Sequence, residues 1–227
     1  MSRCPSCGST VLHPIFLHIL HRKDCGERKP RPVERKEIRS VSVDGFIIRA
    51  SKIATEAHRD QVRKYNQTPF VFHPMRVAGR VMLLPDVTPL EIAAAWLHDV
   101  LEDTPMKRQD LLDRGMPESV VKYVEALTNP SKDMKDIPRK ERKEADLKHL
   151  EGQSDWVKKI KMLDRIDNLN ELSWEDLDFM EVYCMESRML VGRIGSADPS
   201  LAEELREIVQ FYESEIGKIL QEKEGHS

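Results

Sequence analysis

Apolar residues recur at three- and four-residue spacing over most of the chain beyond residue 41, which is the pattern of amphipathic α-helices. The first such run extends from Phe46 to Tyr65, and the next extends from His73 to Leu84. Pro85 ends the second run, because proline cannot continue a helix. The pattern therefore predicts a helix in each run.

The helix with the strongest start signal follows Thr88. Threonine is a favoured N-cap residue, Pro89 suits the first helical position, and Glu91 completes a capping box. The next segment, from Ile92 to His98, is apolar on nearly every side. A helix of this kind belongs at the centre of a bundle, so we expect the other helices to surround it.

The same spacing predicts further helices. They cover Lys107 to Arg114, Pro117 to Leu127, Ser154 to Leu172, Trp174 to Val191 and Pro199 to Lys223. The charged stretch from Asn129 to Lys143 contains two prolines, and we predict a mobile connection that leads into a short helix. No stretch has a β-strand pattern strong enough to predict a strand. The predicted fold class is therefore all-α, a helical bundle.

The first forty residues differ in composition from the rest, so we predict an N-terminal extension at residues 1–40 and a helical domain at residues 41–227. The extension contains a C-x-x-C pair, Cys4 and Cys7, followed by three histidines and Cys25. These side chains could form a zinc site with one histidine as the fourth ligand. A second C-x-x-C pair is missing from the sequence, so a poorly ordered arm with incidental thiols is the alternative.

Composition narrows the functional classes. The 227 residues are 40% hydrophobic and 33% charged, with a formal net charge of -3. This balance argues against a dedicated DNA- or RNA-binding surface, which would be basic, and no stretch is long and apolar enough to span a bilayer. We therefore expect a small-molecule ligand and neither a nucleic-acid nor a membrane partner. Four cysteines without disulfide-like spacing fit a reducing cytoplasm.

The candidate chemistry centres on the segment from His98 to Asp103, which ends the most apolar helix. Burying an imidazole and a carboxylate there is costly unless something compensates both, and a divalent cation can do so. Glu102 and Asp103 follow Asp99 at helical spacings of three and four, so the three carboxylates can project from nearly one face. Their mutual repulsion also requires a cation or raised pKa values.

Two other stretches place polar residues in an apolar setting. His73 stands at the start of a helix, and Asp164 and Asn168 lie one helical turn apart. Taken together, His73, His98, Asp99 and Asp164 make a set of two nitrogen and two oxygen ligands. Such a set suits Mn or Fe, and Mg less well, with positions left open for water and phosphate.

The order of these motifs resembles that in the HD hydrolase domain of the Rel/Spo alarmone enzymes, and the chain is similar in size to the small alarmone hydrolases. The resemblance covers residues 48–189. Four motifs match in order, namely AHRDQVRK at 57–64, FHP at 72–74, HDVLED at 98–103 and DRIDNL at 164–169. A bare His-Asp pair is weak evidence, whereas this pair followed by Glu-Asp and accompanied by the other three motifs is strong evidence.

The resemblance implies a metal-dependent phosphohydrolase that removes pyrophosphate from the ribose 3′ position of ppGpp or pppGpp. It also implies one divalent ion on the four ligands named above, Mn²⁺ first and Fe²⁺ or Mg²⁺ as alternatives. Glu102 and Asp103 would position and activate the attacking water. Arg63, Lys64 and Asn168 would contact the nucleotide.

Three departures from the family pattern lie near the expected nucleotide pocket, at Tyr65, Asn170 and Glu171. These departures leave open which base the substrate carries and how many phosphates it has. An HD phosphohydrolase acting on another nucleotide or on a phosphorylated dinucleotide cofactor is therefore the nearest alternative. The acidic pair Glu102 and Asp103 favours the alarmone. A nucleotide sensor without turnover is the alternative from a different class, and the complete ligand set argues against it.

The remaining conspicuous residues are interpreted as structural. We expect His58 to pack beneath the metal site and Asp167 to be exposed. Trp96 and Trp174 are expected in the core, and Cys184 is expected to behave as a small buried hydrophobe.

Overall fold

The structure is a computed structural model, and it describes residues 2–3, 10–11, 45–134 and 136–225. The chain divides into two compact units, Met1–Val41 and Ser42–Ser227. In the first unit, strands β1 (Ser2–Arg3) and β2 (Thr10–Val11) pair antiparallel. The sequence pattern does not predict these strands, because two-residue strands are too short to show an alternating pattern. The proposed zinc ligands, and the alternative of a poorly ordered arm, concern residues outside the described ones.

The described part of the second unit is built from α-helices with two short 3₁₀ turns, Pro130–Asp133 and Gly195–Ala197. This confirms the predicted all-α class for that unit. The helices are α1 (Gly45–Ala57), α2 (Phe72–Val81), α3 (Pro89–Leu97), α4 (Val100–Asp103), α5 (Arg108–Asp113), α6 (Glu118–Leu127), α7 (Arg139–Glu151), α8 (Asp155–Leu169), α9 (Leu177–Ile194) and α10 (Pro199–Gly225). None of these helices is long and apolar enough to cross a membrane.

Helix α3 lies at the centre of the first half of the bundle, as predicted, and contacts α1, α2 and α6. Ala93, Ala94 and Ala95 are fully buried, and their small side chains leave room for neighbours on every side. The predicted capping box is present. The backbone N–H of Thr88 donates to Glu91 at 2.9 Å, and the hydroxyl of Thr88 accepts from the N–H of the second residue of the helix at 3.3 Å.

Helix α8 occupies the equivalent place in the second half, where it contacts α2 and α10. Its apolar face is fully buried through Leu163, Ile166 and Leu169. Because α2 contacts both α3 and α8, the start of α2, the end of α3 and the middle of α8 come close together. This arrangement positions the polar residues that the sequence singles out.

Two structural expectations are wrong. The helix expected to be short is the 13-residue α7, which begins at Arg139 after a 3₁₀ turn at Pro130–Asp133. Asp146 of α7 accepts from the backbone N–H of Ser131 at 3.1 Å and from its hydroxyl at 2.8 Å, which ties this helix to the turn. Trp174, which precedes α9, is 37% exposed rather than buried, and its ring centre lies 5.3 Å from that of Tyr212.

Candidate metal centre

Four polar side chains meet where α2, the end of α3 and α8 come together. His73 lies in the first turn of α2, His98 and Asp99 follow α3, and Asp164 lies in α8. The Nε2 atoms of the two histidines are 3.1 Å apart. Asp99 Oδ2 lies 3.4 and 3.2 Å from these nitrogens, and Asp164 Oδ1 lies 3.2 and 3.8 Å from them. The structure thus brings all four predicted ligands to one place.

The Nε2 nitrogens of the two imidazoles face each other. His98 Nδ1 lies 2.8 Å from the backbone oxygen of Ala95, and His73 Nδ1 lies 2.7 Å from Asp167 Oδ2. Both of these partners are acceptors, so each Nδ1 carries a proton, and in the neutral form of each ring Nε2 would direct a lone pair into the cluster. Two lone pairs beside two carboxylates repel one another unless positive charge lies between them. The residues present therefore fit a divalent ion, and His73, His98 and Asp99 form a cluster able to bind one.

The electrostatics of the cluster also require positive charge. Burial disfavours a charged imidazole, but hydrogen bonds with three carboxylates, Asp164 foremost, raise the pKa of His73 to about 11. Burial likewise opposes the charged form of His98, and the neighbouring Asp99 raises its pKa to about 9. The pKa values of Asp99 and Asp164 lie well below the usual range despite burial, because of the histidines and Lys161. A metal ion supplies the same charge once it replaces the ring protons.

The acidic pair lies in the cavity beside this cluster. Both oxygens of Glu102 accept hydrogen bonds from Asn129, one from its backbone N–H and one from its side-chain amide, each at 3.0 Å. Removal of water and the negative charges of Asp99 and Glu102 raise the pKa of Asp103 to about 6. The cavity has a volume of about 220 Å³ and is lined by both members of the pair together with Asp99 and Asp164. Two carboxylates and the ligand cluster therefore face one space.

The three predicted substrate contacts fall in different places. Arg63 lines the same cavity, donates through Nη2 to Asn168 Oδ1 at 2.7 Å, and donates through Nε to Glu171. Asn168 also lines this cavity and donates to the predicted ligand Asp164 at 2.6 Å. Lys64 is 72% exposed and lines an adjoining cavity of about 330 Å³, with Arg63 and Asn168 on the wall between the two. The structure thus brings Arg63 and Asn168 to the cluster and leaves Lys64 further out.

The adjoining cavity has an aromatic wall. The rings that line it belong to Tyr65, Phe70, Phe179 and Tyr183. The ammonium of Lys64 lies 4.6 Å from the ring centre of Tyr65 and 5.5 Å from that of Phe179. A planar base stacks well on such rings. The adjoining cavity therefore suits an apolar group, and the cavity beside the cluster, which Arg63 lines, suits an anionic group.

Sequence reasoning missed two residues of the cluster's surroundings. Asp167 is only 7% exposed, so its predicted exposure is wrong, and it accepts the hydrogen bond from His73 Nδ1. Lys161 is 8% exposed and donates to Asp164 Oδ2 at 3.1 Å. The usable signal was helical spacing, since Lys161 and Asp167 lie three residues before and after Asp164.

His58 packs close to the cluster, as expected. It is 1% exposed and stacks on Phe70 with ring centres 4.7 Å apart, and the edge of Phe70 meets His73 at 5.8 Å. Its Nδ1 is 2.7 Å from Gln61 Oε1, and the same glutamine donates to the backbone oxygen of Asp103 at 2.8 Å. His58 therefore packs behind the His73 side of the cluster.

Comparison with known proteins points to one group of enzymes, although no protein-family model matches the chain. Guanosine-3′,5′-bis(diphosphate) 3′-pyrophosphohydrolase MESH1 from Danio rerio is 28% identical over 177 residues, which is 74% of this chain and 95% of the relative. The Homo sapiens MESH1 is 28% identical over 158 residues, 66% of this chain and 86% of the relative. The structure of a metazoan ortholog of SpoT that hydrolyses ppGpp is 26% identical with a TM-score of 0.61, and the match covers 73% of this chain and 94% of that one.

Proposed function

We propose that this chain, an HD hydrolase of the Rel/Spo type, removes the 3′ pyrophosphate from guanosine 3′,5′-bis(diphosphate)-type alarmones and releases GDP or GTP with pyrophosphate. The observation that carries the proposal is that His73, Asp99 and Asp164, which meet with His98 in one cluster, line a single cavity together with Glu102 and Asp103. Two relatives whose matches cover 95% and 86% of their own length are named as 3′-pyrophosphohydrolases of guanosine-3′,5′-bis(diphosphate).

His73, His98, Asp99 and Asp164 would hold one divalent ion, which we propose to be Mn²⁺. Two imidazole nitrogens and two carboxylate oxygens form a ligand set that suits Mn. They suit a closed structural zinc site less well, because such a site favours thiolates. When bound, the ion supplies Lewis acidity that polarises a phosphoryl oxygen and lowers the pKa of water. Lys161 leaves Asp164 Oδ1 directed at the histidines, because it occupies the other oxygen at 3.1 Å.

Glu102 and Asp103 would orient the attacking water and receive its proton. Asn129 fixes the carboxylate plane of Glu102 by donating to both oxygens, so little reorganisation accompanies proton transfer. A well-placed general base contributes about 10²–10⁴-fold in rate. We assign this role to Glu102 first, with Asp103 beside it.

Arg63 and Asn168 would bind the part of the substrate nearest to the ligands, and Lys64 would bind a more distant phosphate. A guanidinium can grip phosphate oxygens with two hydrogen bonds, whereas an ammonium acts as a point charge. Attack needs the reacting atoms about 3–3.5 Å apart, so a nucleoside held with its 3′ side toward the cluster would present only its 3′ group. For such a nucleotide substrate we propose the cytoplasm as the compartment, on the cysteine pattern.

One assay tests the proposed function. The full chain, loaded with Mn²⁺, is incubated with ppGpp, GTP or GDP, and the products are separated by anion exchange. We expect ppGpp to give GDP and pyrophosphate while GTP and GDP stay nearly intact. Release of phosphate from GTP with ppGpp untouched would refute the alarmone assignment in favour of another HD phosphohydrolase, and binding without turnover of any nucleotide would favour a sensor.

A further inference from the structure

A chain of charged side chains runs away from the cluster on the far side of His73. His73 Nδ1 donates to Asp167 Oδ2 at 2.7 Å. Asp167 in turn accepts two hydrogen bonds from Arg76, at 2.7 Å to one oxygen and 2.8 Å to the other. This fork from Arg76 fixes the plane of the Asp167 carboxylate, and that plane fixes the direction in which His73 faces.

The chain continues through Glu171 to the expected substrate site. Glu171 accepts from Nη2 of Arg76 with one oxygen and from Nε of Arg63 with the other. Arg63 and Glu171 have side chains only 15% and 13% exposed, so both are held in a largely water-free setting. Arg76 is therefore the cation shared by the acid that contacts His73 and the acid that contacts Arg63.

We propose that Asp167, Arg76 and Glu171 form a positioning network that orients His73 as a metal ligand and Arg63 as a substrate-binding group. The proposal rests on the metal-dependent site of the proposed function. A histidine that binds a metal through one nitrogen is oriented by the hydrogen bond that its other nitrogen makes. Glu171, one of the departures from the family pattern, thereby acquires a specific role.

A purely stabilising ion-pair cluster is the competing explanation, and the chain supplies a matched control for it. Arg80 lies one turn further along α2 and donates through Nη2 to both oxygens of Glu204, at 2.8 and 2.6 Å. The side chains of Arg80 and Arg76 are 33% and 37% exposed, so the two arginine–carboxylate pairs are about equally accessible to water. Among the residues that the structure describes, Arg80 forms its side-chain hydrogen bonds with Glu204, which is not part of the cluster.

The test compares Mn²⁺ binding to metal-free full-length variants, measured by electron paramagnetic resonance of the unbound ion. Asp167→Ala should weaken Mn²⁺ binding by about 10–100-fold, the usual effect of losing such a hydrogen bond. Asp167→Asn should lose less, because its amide oxygen can still accept from Nδ1–H. Arg76→Lys breaks the fork and should give a smaller loss in the same direction, whereas Arg80→Lys should bind like the wild type.

A second measurement addresses Glu171. Glu171→Gln should leave Mn²⁺ affinity near the wild-type value, because this residue does not contact His73. It should raise KM for ppGpp by about tenfold, the effect of weakening one charge-assisted hydrogen bond, with little change in kcat. A change in KM without a change in kcat distinguishes a loss of Arg63 positioning from a general loss of folded protein, which would lower the apparent kcat.

Defined results would overturn the proposal. Wild-type Mn²⁺ affinity in folded Asp167→Ala and Arg76→Lys chains would refute the orientation of His73, and Arg76→Lys decides this point alone if the alanine variant does not fold. Equal losses in Asp167→Ala and Asp167→Asn would refute the hydrogen-bond role, and an unchanged KM in Glu171→Gln would refute the link to Arg63. Absence of ppGpp hydrolysis by the wild type would refute the proposed function instead, and the Mn²⁺ measurements would still decide the role of Asp167.

Discussion

At the scale of single residues, a substitution of Glu102 can distinguish metal binding from proton transfer. Glu102→Gln keeps the shape of the side chain but removes its charge and its basicity. We expect the chain to retain about one Mn²⁺, following from one ligand set, while the rate of ppGpp hydrolysis falls by about 10²-fold or more. Elemental analysis and initial rates measure the two quantities separately.

Glu125→Gln is a suitable control for this variant, since Glu125 is exposed on α6 and pairs with Arg108. It should change neither metal content nor rate. Full activity in Glu102→Gln would contradict the assignment and would make Asp103 the next candidate base.

Cys184 gives a prediction about pH. It is 1% exposed, and burial, followed by the charge of Glu213, raises the pKa of its thiol to about 11. The reactive thiolate is therefore about 10⁻³ of the total at pH 8, against roughly a quarter for a thiol of pKa about 8.5. In a chain whose other three cysteines are changed to serine, a thiol reagent should react very slowly at pH 8, and faster as pH rises toward 11.

Addition of urea should expose Cys184 and bring its reaction to the rate of a free thiol. The same background with Cys184→Ala should give no signal. Rapid reaction of the native protein at pH 8 would contradict the buried position of this side chain.

Residues whose roles depend on distant partners limit what the sequence can predict. His73, His98, Asp99 and Asp164 could be selected because each is polar in an apolar context. Asp167 could not, because its burial comes from His73 and Arg76, which lie 94 and 91 residues away in the chain. Helical spacing alone gives equal weight to a solvated carboxylate and to one that orients a ligand.

At the scale of elements, the start of α3 has a measurable energetic role. The Thr88 hydroxyl accepts from a helix N–H, and the Glu91 carboxylate accepts from the backbone N–H of Thr88. Glu91 also accepts from the Tyr123 hydroxyl at 3.0 Å. Thr88→Ala removes the cap, so we expect the free energy of unfolding to fall by about 1 kcal/mol. Urea denaturation should show a lower midpoint with an unchanged slope.

Thr55→Ala provides the comparison, since Thr55 is an exposed residue inside α1 whose hydroxyl bonds the backbone oxygen of Ser51. A surface change of this kind usually stays within about 0.5 kcal/mol. Equal effects of the two substitutions would show that the cap contributes nothing specific to stability.

Element prediction succeeded where local signals agree and failed where tertiary contacts decide. Helix α3 has an N-cap, a proline at its first position and an apolar sequence, so its start could be read directly. Helix α7 is rich in charges, and no apolar stripe predicts its full length. It is held instead by ion pairs to α9, from Arg139 to Glu186 and from Arg193 to Glu144 and Glu151, and those pairs are invisible in a local window.

At the scale of the whole molecule, the candidate ligands join segments that are far apart in sequence. His73 comes from α2, His98 and Asp99 follow α3, and Asp164 comes from α8. An ion bound at this site would hold both halves of the bundle together. In the unfolded chain the same four side chains are dispersed, so they bind the ion weakly and the native state gains the difference.

Mn²⁺ should therefore stabilise the native protein in proportion to its concentration. At about 100 times the dissociation constant, the expected gain in the free energy of unfolding is about 2.7 kcal/mol. Thermal unfolding of the full chain should show a higher Tm with Mn²⁺ and a lower Tm after treatment with a chelator.

His98→Ala removes a ligand that is completely buried, so its Tm should not respond to Mn²⁺, and the variant should hydrolyse no ppGpp. Mn²⁺ is the proper probe because hard oxygen and imidazole ligands suit it, whereas zinc also favours thiolates and the sequence contains four cysteines. An equal Tm increase in the wild type and in His98→Ala would place the stabilising ion elsewhere and refute the assigned ligand set.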